Sequence, residues 1–303
     1  MPDPAVASAD RPPVVIEVPA TSANLGPGFD ALGLALSLRD RVRLRTTRSG
    51  LVVEVEGSGA TSVPRDETHL VVRAVRAAFD AMGVPQPGLA LHCTNVVPHG
   101  RGLGSSAAAI VAGVVAARAS VSEGAHLLDD PAALRLAARL EGHPDNVAAA
   151  LLGGLTIAWE EGTGACATRL DVVGQVMVFV PPEEVSTRVA RGVLPAAVPH
   201  ADAARNAGRA ALLVAALTGR PELLLPATRD WLHQSYRAPV MPESAALVEE
   251  LRAAGVAAVV SGAGPSVLAF RTRGHELTSY APPGWQVYDV GVSAAGARVL
   301  AGT

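Results

Sequence analysis

The segment Pro98-His-Gly-Arg-Gly-Leu-Gly-Ser-Ser-Ala-Ala108 places glycines at 100, 102 and 104 directly before a run of small residues of helical length. Glycine lets the backbone turn sharply and lets a ligand approach the main chain closely. Residues 89–94 before it read as a strand, and residues 105–119 after it as a helix. A helix beginning there directs free N–H groups and the positive end of its dipole at the loop, which makes an anion site suited to phosphate. Ser105 and Ser106 add hydroxyls, one of them able to reach a phosphate-bound magnesium ion. A tight strand-to-helix turn, with small residues for close packing, accounts for the same spacing. Gly102-Leu-Gly-Ser-Ser-Ala107 also matches the relaxed dinucleotide fingerprint, which needs a second strand ending in an acid about 20 residues on. The residues that follow, Ser120-Val-Ser-Glu-Gly-Ala-His126, are polar and lead to another helix, so that reading loses.

Outward from this loop, residues 14–18, 41–45, 51–55, 155–159, 176–180, 256–260 and 266–270 read as strands, with an irregular stretch at 19–30. Helices are expected over 66–82, stopped by Gly83, and over 130–141, with Asp130 as cap and Pro131 first. Others are expected over 146–152, 202–217 and 243–254. Strands and helices mix without strict βα alternation, so the fold class is α+β. The loop at 161–167 is the expected boundary between domains at 1–165 and 166–303.

Among 303 residues, 49% are hydrophobic and 3% aromatic, a packed α/β composition with a core large enough for two modest domains. A net charge of −3 argues for neither a nucleic-acid nor an anionic-membrane partner. All 25 basic residues other than histidine are Arg. Without lysine the chain cannot be a Walker-type P-loop enzyme, a protein kinase or a Schiff-base enzyme. Cys93 and Cys166 stand far apart in apolar segments, as buried small side chains rather than a pair. The first 13 residues lack the apolar core of a signal peptide, and no run is long and apolar enough to span a bilayer, so the cytoplasm is expected. His99 and His143 form no cluster with zinc-ligand spacing, and His143 reads as a turn residue.

Two further stretches combine with the glycine loop: Val18-Pro-Ala-Thr-Ser-Ala-Asn-Leu-Gly-Pro-Gly-Phe-Asp-Ala-Leu-Gly33 and Ser261-Gly-Ala-Gly-Pro-Ser-Val267. In this order and spacing, across residues 14–270, the three resemble the signature motifs of the GHMP kinases. Within that group the chain is similar to the homoserine kinase family, through Leu140-Glu-Gly-His-Pro-Asp-Asn-Val147, Ser186-Thr-Arg-Val-Ala-Arg-Gly-Val-Leu-Pro195 and His233-Gln-Ser-Tyr-Arg237. The resemblance implies a two-domain fold with mixed and antiparallel sheets, with ATP and substrate bound between the domains. It implies phosphorylation of the L-homoserine hydroxyl on the route to threonine. ATP would lie on Pro98, Gly100, Arg101, Gly102, Leu103, Gly104, Ser105, Ser106, Ala107 and Ala108, and magnesium on Ser106 and Glu141.

Homoserine carries a carboxylate, an ammonium and a hydroxyl. Arg191 and Arg237 offer guanidinium forks to the carboxylate. Asp30 suits the ammonium or the reacting hydroxyl, and Asn24 and Asn146 offer orienting amides, with Asp30 and Asn146 nearest the chemistry. Plainer readings exist for each: solvated charges, a turn residue at Asp30, a helix cap at Asn146. Two departures stand out, Leu38-Arg-Asp-Arg-Val42 in place of an aromatic and an acid, and Val189 in place of an acid. The rival readings are a sibling kinase acting on mevalonate or a sugar, and a catalytically silent binder of ATP or an amino acid. A homodimer is compatible with the resemblance.

Overall fold

The place of the glycine loop follows from how two sheets divide the chain. A computed structural model describes residues 12–300 apart from 173 and 272–275. Strands β1 (Val14–Ala23), β2 (Leu32–Thr47), β3 (Leu51–Gly57), β4 (Gly88–Asn95), β5 (Leu155–Glu161), β6 (Gly164–Leu170) and, from the far end of the chain, β11 (Arg298–Leu300) form one sheet. Its order is β11-β1-β2-β4-β3, with β5 joining the early part of β2 and β6 pairing with β5. β3 and β4 run parallel, and the other neighbours are antiparallel. β7 (Gln175–Val180), β8 (Ala258–Val260), β9 (Val267–Phe270) and β10 (Gln286–Gly291) form a second, antiparallel sheet in the order β10-β7-β9-β8.

The helices are α1 (Leu70–Met82), α2 (Ser105–Ser120), α3 (Gly124–Leu127), α4 (Asp130–Glu141), α5 (Pro144–Leu152), α6 (Thr187–Gly192), α7 (His200–Thr218), α8 (Leu224–Ala227), α9 (Gln234–Arg237) and α10 (Pro242–Ala253). Apolar faces of α1, α4 and α5 close a core with β1 to β4 around α2. α2 is Ala, Val and Ile nearly all round and is buried accordingly, since a helix without a polar face has no stable place at the surface. A second core joins β2 and β5 to β7, β9 and α7, and a third packs α10 against the smaller sheet. Among the described residues no helix is long and apolar enough to cross a membrane.

Several elements differ from expectation. Residues 19–23, expected to be irregular, continue β1 with a register shift between Pro19 and Thr21. β2 is sixteen residues long, yet only its second half alternates. Leu32 to Leu36 is buried on both faces between two cores, and such a strand shows no alternation. Asp129, not Asp130, caps α4 by accepting from Ala132 N (2.8 Å), while Asp130 pairs with Arg118. Asn146 lies inside α5 and does not cap it. Residue 165 falls within β6, whose hairpin with β5 keeps it in the larger sheet.

Candidate functional site

Gly104, at φ 65°, opens α2 with no side-chain cap. The first intrahelical bond runs from Ala108 N to Gly104 O (2.9 Å), so the N–H groups of Ser105, Ser106 and Ala107 have no intrahelical acceptor. A Cβ on Gly104 would strike Thr21 Oγ1 and lie 3.0 Å from Asn146 Oδ1. One on Gly102, at φ 73°, would strike Ser261 O. Bare glycine backbone is therefore what lets the three signature loops meet. Thr21 N donates to Leu103 O (3.0 Å), Ser261 Oγ to Gly102 O (2.7 Å), and Asn24 Nδ2 to Gly262 O (2.7 Å).

These loops enclose a cavity of about 270 Å³. It brings together Asn24, Asp30, Asn146, Arg191 and Arg237 with Gly100, Gly102, Gly104, Ser105, Ser106 and Glu141. Other expected residues lie elsewhere. Leu103, Ala107 and Ala108 are buried in the cores, and Pro98 and Arg101 face a different hollow. Only their backbone is left to meet a ligand.

The acids crowd one end. Ser106 Oγ donates to Glu141 Oε1 (2.5 Å), and burial pushes the Glu141 carboxyl above its ordinary range, with Asp145 adding to the effect and the Ser106 bond opposing it. Asp145, absent from the expected set, is 3% exposed. Burial drives its carboxyl up to about 6, against the bond it accepts from Asn146 N (2.7 Å). Asn146 Oδ1 accepts from Thr21 Oγ1 (2.8 Å), which fixes the amide beside the start of α2. Among the described residues no group of three His, Cys, Asp or Glu could hold a metal unaided. The Ser106 hydroxyl and the half-buried Glu141 carboxylate, with no ion-pair partner among the described residues, do fit magnesium, which takes its remaining ligands from water and phosphate oxygens.

Arginines occupy the other end. Arg191 holds Asp30 through Nη2–Oδ1 (2.6 Å) and Nη1–Oδ2 (3.1 Å), while its Nε is buried without a partner. Arg237 is 1% exposed and makes no ion pair among the described residues. Its guanidinium donates to Ala190 O (3.1 Å), Gly262 O (3.2 Å) and His233 Nδ1 (3.1 Å). Because His233 Nδ1 accepts from Arg237, Nε2 is the ring's N–H and donates to Gly26 O (2.8 Å), as fits a neutral imidazole, whose pKa burial lowers against the pull of Asp230. The Phe29 ring stacks on His233 at 5.2 Å and takes both guanidiniums on its faces, Arg191 at 5.6 Å and Arg237 at 5.5 Å. Phe29 and Asp145 both lie in quoted motifs. An aromatic between Gly28 and Asp30, and an acid beside Asn146, were the available signals. His143 also lines the cavity, its imidazole pushed below the usual range by burial and by Arg191.

A second hollow of about 240 Å³ adjoins the first and shares Ser105 and Ser106 with it. Val18, Val42, Val71 and Cys93 make it largely apolar. His69 enters it 5% exposed, with a buried Nδ1 that has no partner. Asp40, the acid of the departing 38–42 stretch, is buried there and accepts from Val96 N (2.6 Å) and Val97 N (2.8 Å).

Known families match this arrangement. The GHMP kinases N-terminal domain matches residues 69–154 and the GHMP kinases C-terminal domain residues 210–276. Homoserine kinase of Streptomyces avermitilis is 57% identical over 291 residues, covering 95% of each chain. That of Clavibacter michiganensis is 55% identical over 258 residues, covering 84% of this chain and 81% of its own. The crystal structure of homoserine kinase from Cytophaga hutchinsonii superposes with a TM-score of 0.83 at 27% identity, over 97% of this chain and 99% of that one. The chain belongs to the GHMP kinases and, within them, to the homoserine kinase family. Its two-domain α+β architecture is that of the family.

Proposed function

We propose that the chain transfers the γ-phosphoryl group of ATP to the side-chain hydroxyl of L-homoserine, giving O-phospho-L-homoserine on the route to threonine. The observation that carries this is one small cavity with an uncapped helix start at one end and, at the other, a buried Arg237 with no carboxylate partner. The free N–H groups and dipole of α2 hold the phosphates. The nucleoside lies in the adjoining apolar hollow, where His69 Nδ1 offers the base a hydrogen bond. Arg237 and the unpartnered Nε of Arg191 take the homoserine carboxylate. Asp145 and Asp30 take the ammonium. Asn24 holds Asp30 in place by accepting from its N–H (3.0 Å). Asn146, anchored by Thr21, faces the hydroxyl beside the phosphate end.

Phosphoryl transfer then needs positioning and charge neutralisation more than covalent work. Magnesium held by Ser106 and Glu141 would neutralise charge on the phosphate oxygens. The loose transition state requires no early deprotonation of the hydroxyl, so no general base is assigned. We read the division between the domains as following the two sheets, the protein as cytoplasmic without nucleic-acid or membrane partners, and a homodimer as its assembly. ADP release with L-homoserine, mevalonate and simple sugars, with and without magnesium, tests the assignment. Turnover with mevalonate or a sugar and none with homoserine would reject the substrate, and binding without turnover would reject the activity.

A further inference from the structure

Arg101 stands between Gly100 and Gly102, both at positive φ, so the loop throws its side chain outward while the flanking glycines face the cavity. The guanidinium is 17% exposed and fully engaged. It donates to Pro181 O (3.1 Å), Pro182 O (2.5 Å) and His99 O (2.7 Å), and pairs with Glu184 Oε1 (2.6 Å). The two prolines follow directly on β7, where the ladder ends, and their carbonyls accept from this one side chain. Beyond them Val185 N donates to Gly100 O (3.3 Å), Ser186 caps α6, and Arg191 on α6 grips Asp30. Ala190 O at the same helix receives Arg237 Nε. One residue of the phosphate loop therefore clasps the segment that carries both acceptor-side arginine contacts. Its own carbonyl accepts from Ser266 N (3.3 Å), tying in the third motif as well.

We propose that Arg101 is a positioning residue that couples the nucleotide and acceptor sites. Its side chain touches neither ligand. Ordering the loop on phosphates fixes residues 181–191 through the clasp, and seating the acceptor on Arg191 and Arg237 fixes the loop in return. Such coupling is reciprocal, each ligand tightening the other by the same factor, typically about 5- to 150-fold. The inference rests on the proposed sites, and the test separates the two.

Isothermal titration measures the dissociation constant of a non-hydrolysable ATP analogue with magnesium, with and without saturating L-homoserine, and the reverse. The unaltered protein should show mutual tightening of about tenfold. Arg101→Ala should bring that factor close to one. Arg101→Lys keeps the charge opposite Glu184 but cannot span three carbonyls, so it should retain only part. Glu184 is 66% exposed on its side chain, so Glu184→Gln folds safely and should reduce the factor by about twofold or less. A graded loss across the three supports the clasp, and should Arg101→Ala fail to fold, the Lys and Gln variants still report. A factor unchanged in Arg101→Lys or Arg101→Ala while single-ligand affinities fall would make Arg101 merely structural and overturn the proposal. So would a factor of one in the unaltered protein. Failure of the unaltered protein to bind either ligand would instead overturn the site assignment.

Discussion

Asp145 is 3% exposed, and burial lifts its carboxyl from the ordinary 3.8 to about 6, so at neutral pH the empty protein keeps a charge where the surroundings resist it. At about 1.4 kcal/mol for each pH unit, the difference amounts to about 3 kcal/mol against the folded state. Asp145→Asn is isosteric, still accepts from Asn146 N, and removes that cost. The sign follows from proton binding. Unfolded chains ionise at 3.8 and folded ones at about 6, so the penalty is fully present above about 6 and fades as pH falls toward 3.8. Chemical or thermal denaturation should therefore show the variant more stable by up to about 3 kcal/mol at pH 7.5, on the order of 5 °C in Tm, and by about half as much at pH 5. Function should move the other way. Losing a charge-assisted contact to the substrate ammonium, worth about 1.5–3 kcal/mol, should raise the KM for L-homoserine about 10- to 100-fold with kcat and the ATP KM nearly unchanged. In the unaltered enzyme that same KM should climb as pH drops through about 6. A variant less stable at pH 7.5, or one whose advantage grows on acidification, would refute the burial argument. A fall in kcat at constant KM would place Asp145 on the reacting hydroxyl instead.

Ser106→Ala and Glu141→Ala should each lower kcat by about 10²-fold or more, the scale for losing an electrostatic stabiliser, and near-normal kcat in both would remove magnesium from this pair. Arg237→Lys should mainly raise the KM for homoserine, because an ammonium cannot replace the planar fork or reach Ala190 O and Gly262 O together; steady-state kinetics with an unchanged KM would take Arg237 out of the acceptor pocket. Gly104→Ala should cost about 1–2 kcal/mol from its left-handed φ alone and, by displacing Thr21 from Asn146, lower kcat/KM as well. Equal kcat/KM in that variant would show that the loop tolerates a side chain at the phosphates.

How far the sequence could be read depended on whether its signals were local. Gly104 before Ser105, Gly83 after Met82, and the small-residue run of α2 are neighbours in sequence, and each marks what the structure shows. The early half of β2 was hidden because burial on both faces erases alternation. β11, only three residues long, exists because Val15, Ile16 and Glu17 offer it an edge some 280 residues earlier in the chain, and no window of sequence contains that pairing. The site divides in the same way. Asn24, Asp30, Ser106, Glu141, Arg191 and Arg237 sit inside recognisable motifs and converge on one cavity. Arg101 also sits in a motif, yet its side chain turns away from the cavity, because a motif specifies the course of the backbone and not which carbonyls wait behind it. Asp145 received no reading of its own, because the tertiary burial that removes its solvent leaves no local signal in the sequence.

The absence of lysine explains how the cavity distributes charge. Asp30, Glu141 and Asp145 face it with two guanidiniums, and one acid–base pair, Asp30 with Arg191, is already satisfied. Arg237 donates to neutral carbonyls and a neutral imidazole, held there by packing on Phe29, and stays at the acceptor end. Glu141 and Asp145 have hydroxyl and amide hydrogen-bond partners and, among the described residues, no ion pair, and burial raises both carboxyls. In many nucleotide sites a lysine would supply positive charge at that end. Here, on the proposed assignment, backbone N–H groups would do so for the phosphates, and they contribute no formal charge to offset the acids. On the same assignment each substrate would bring a different missing charge: the nucleotide its metal beside Glu141, the amino acid its ammonium beside Asp145. A sugar or an isoprenoid alcohol has no ammonium to offer Asp145, so under that assignment the burial of this one carboxylate would select among acceptors that otherwise present the same hydroxyl.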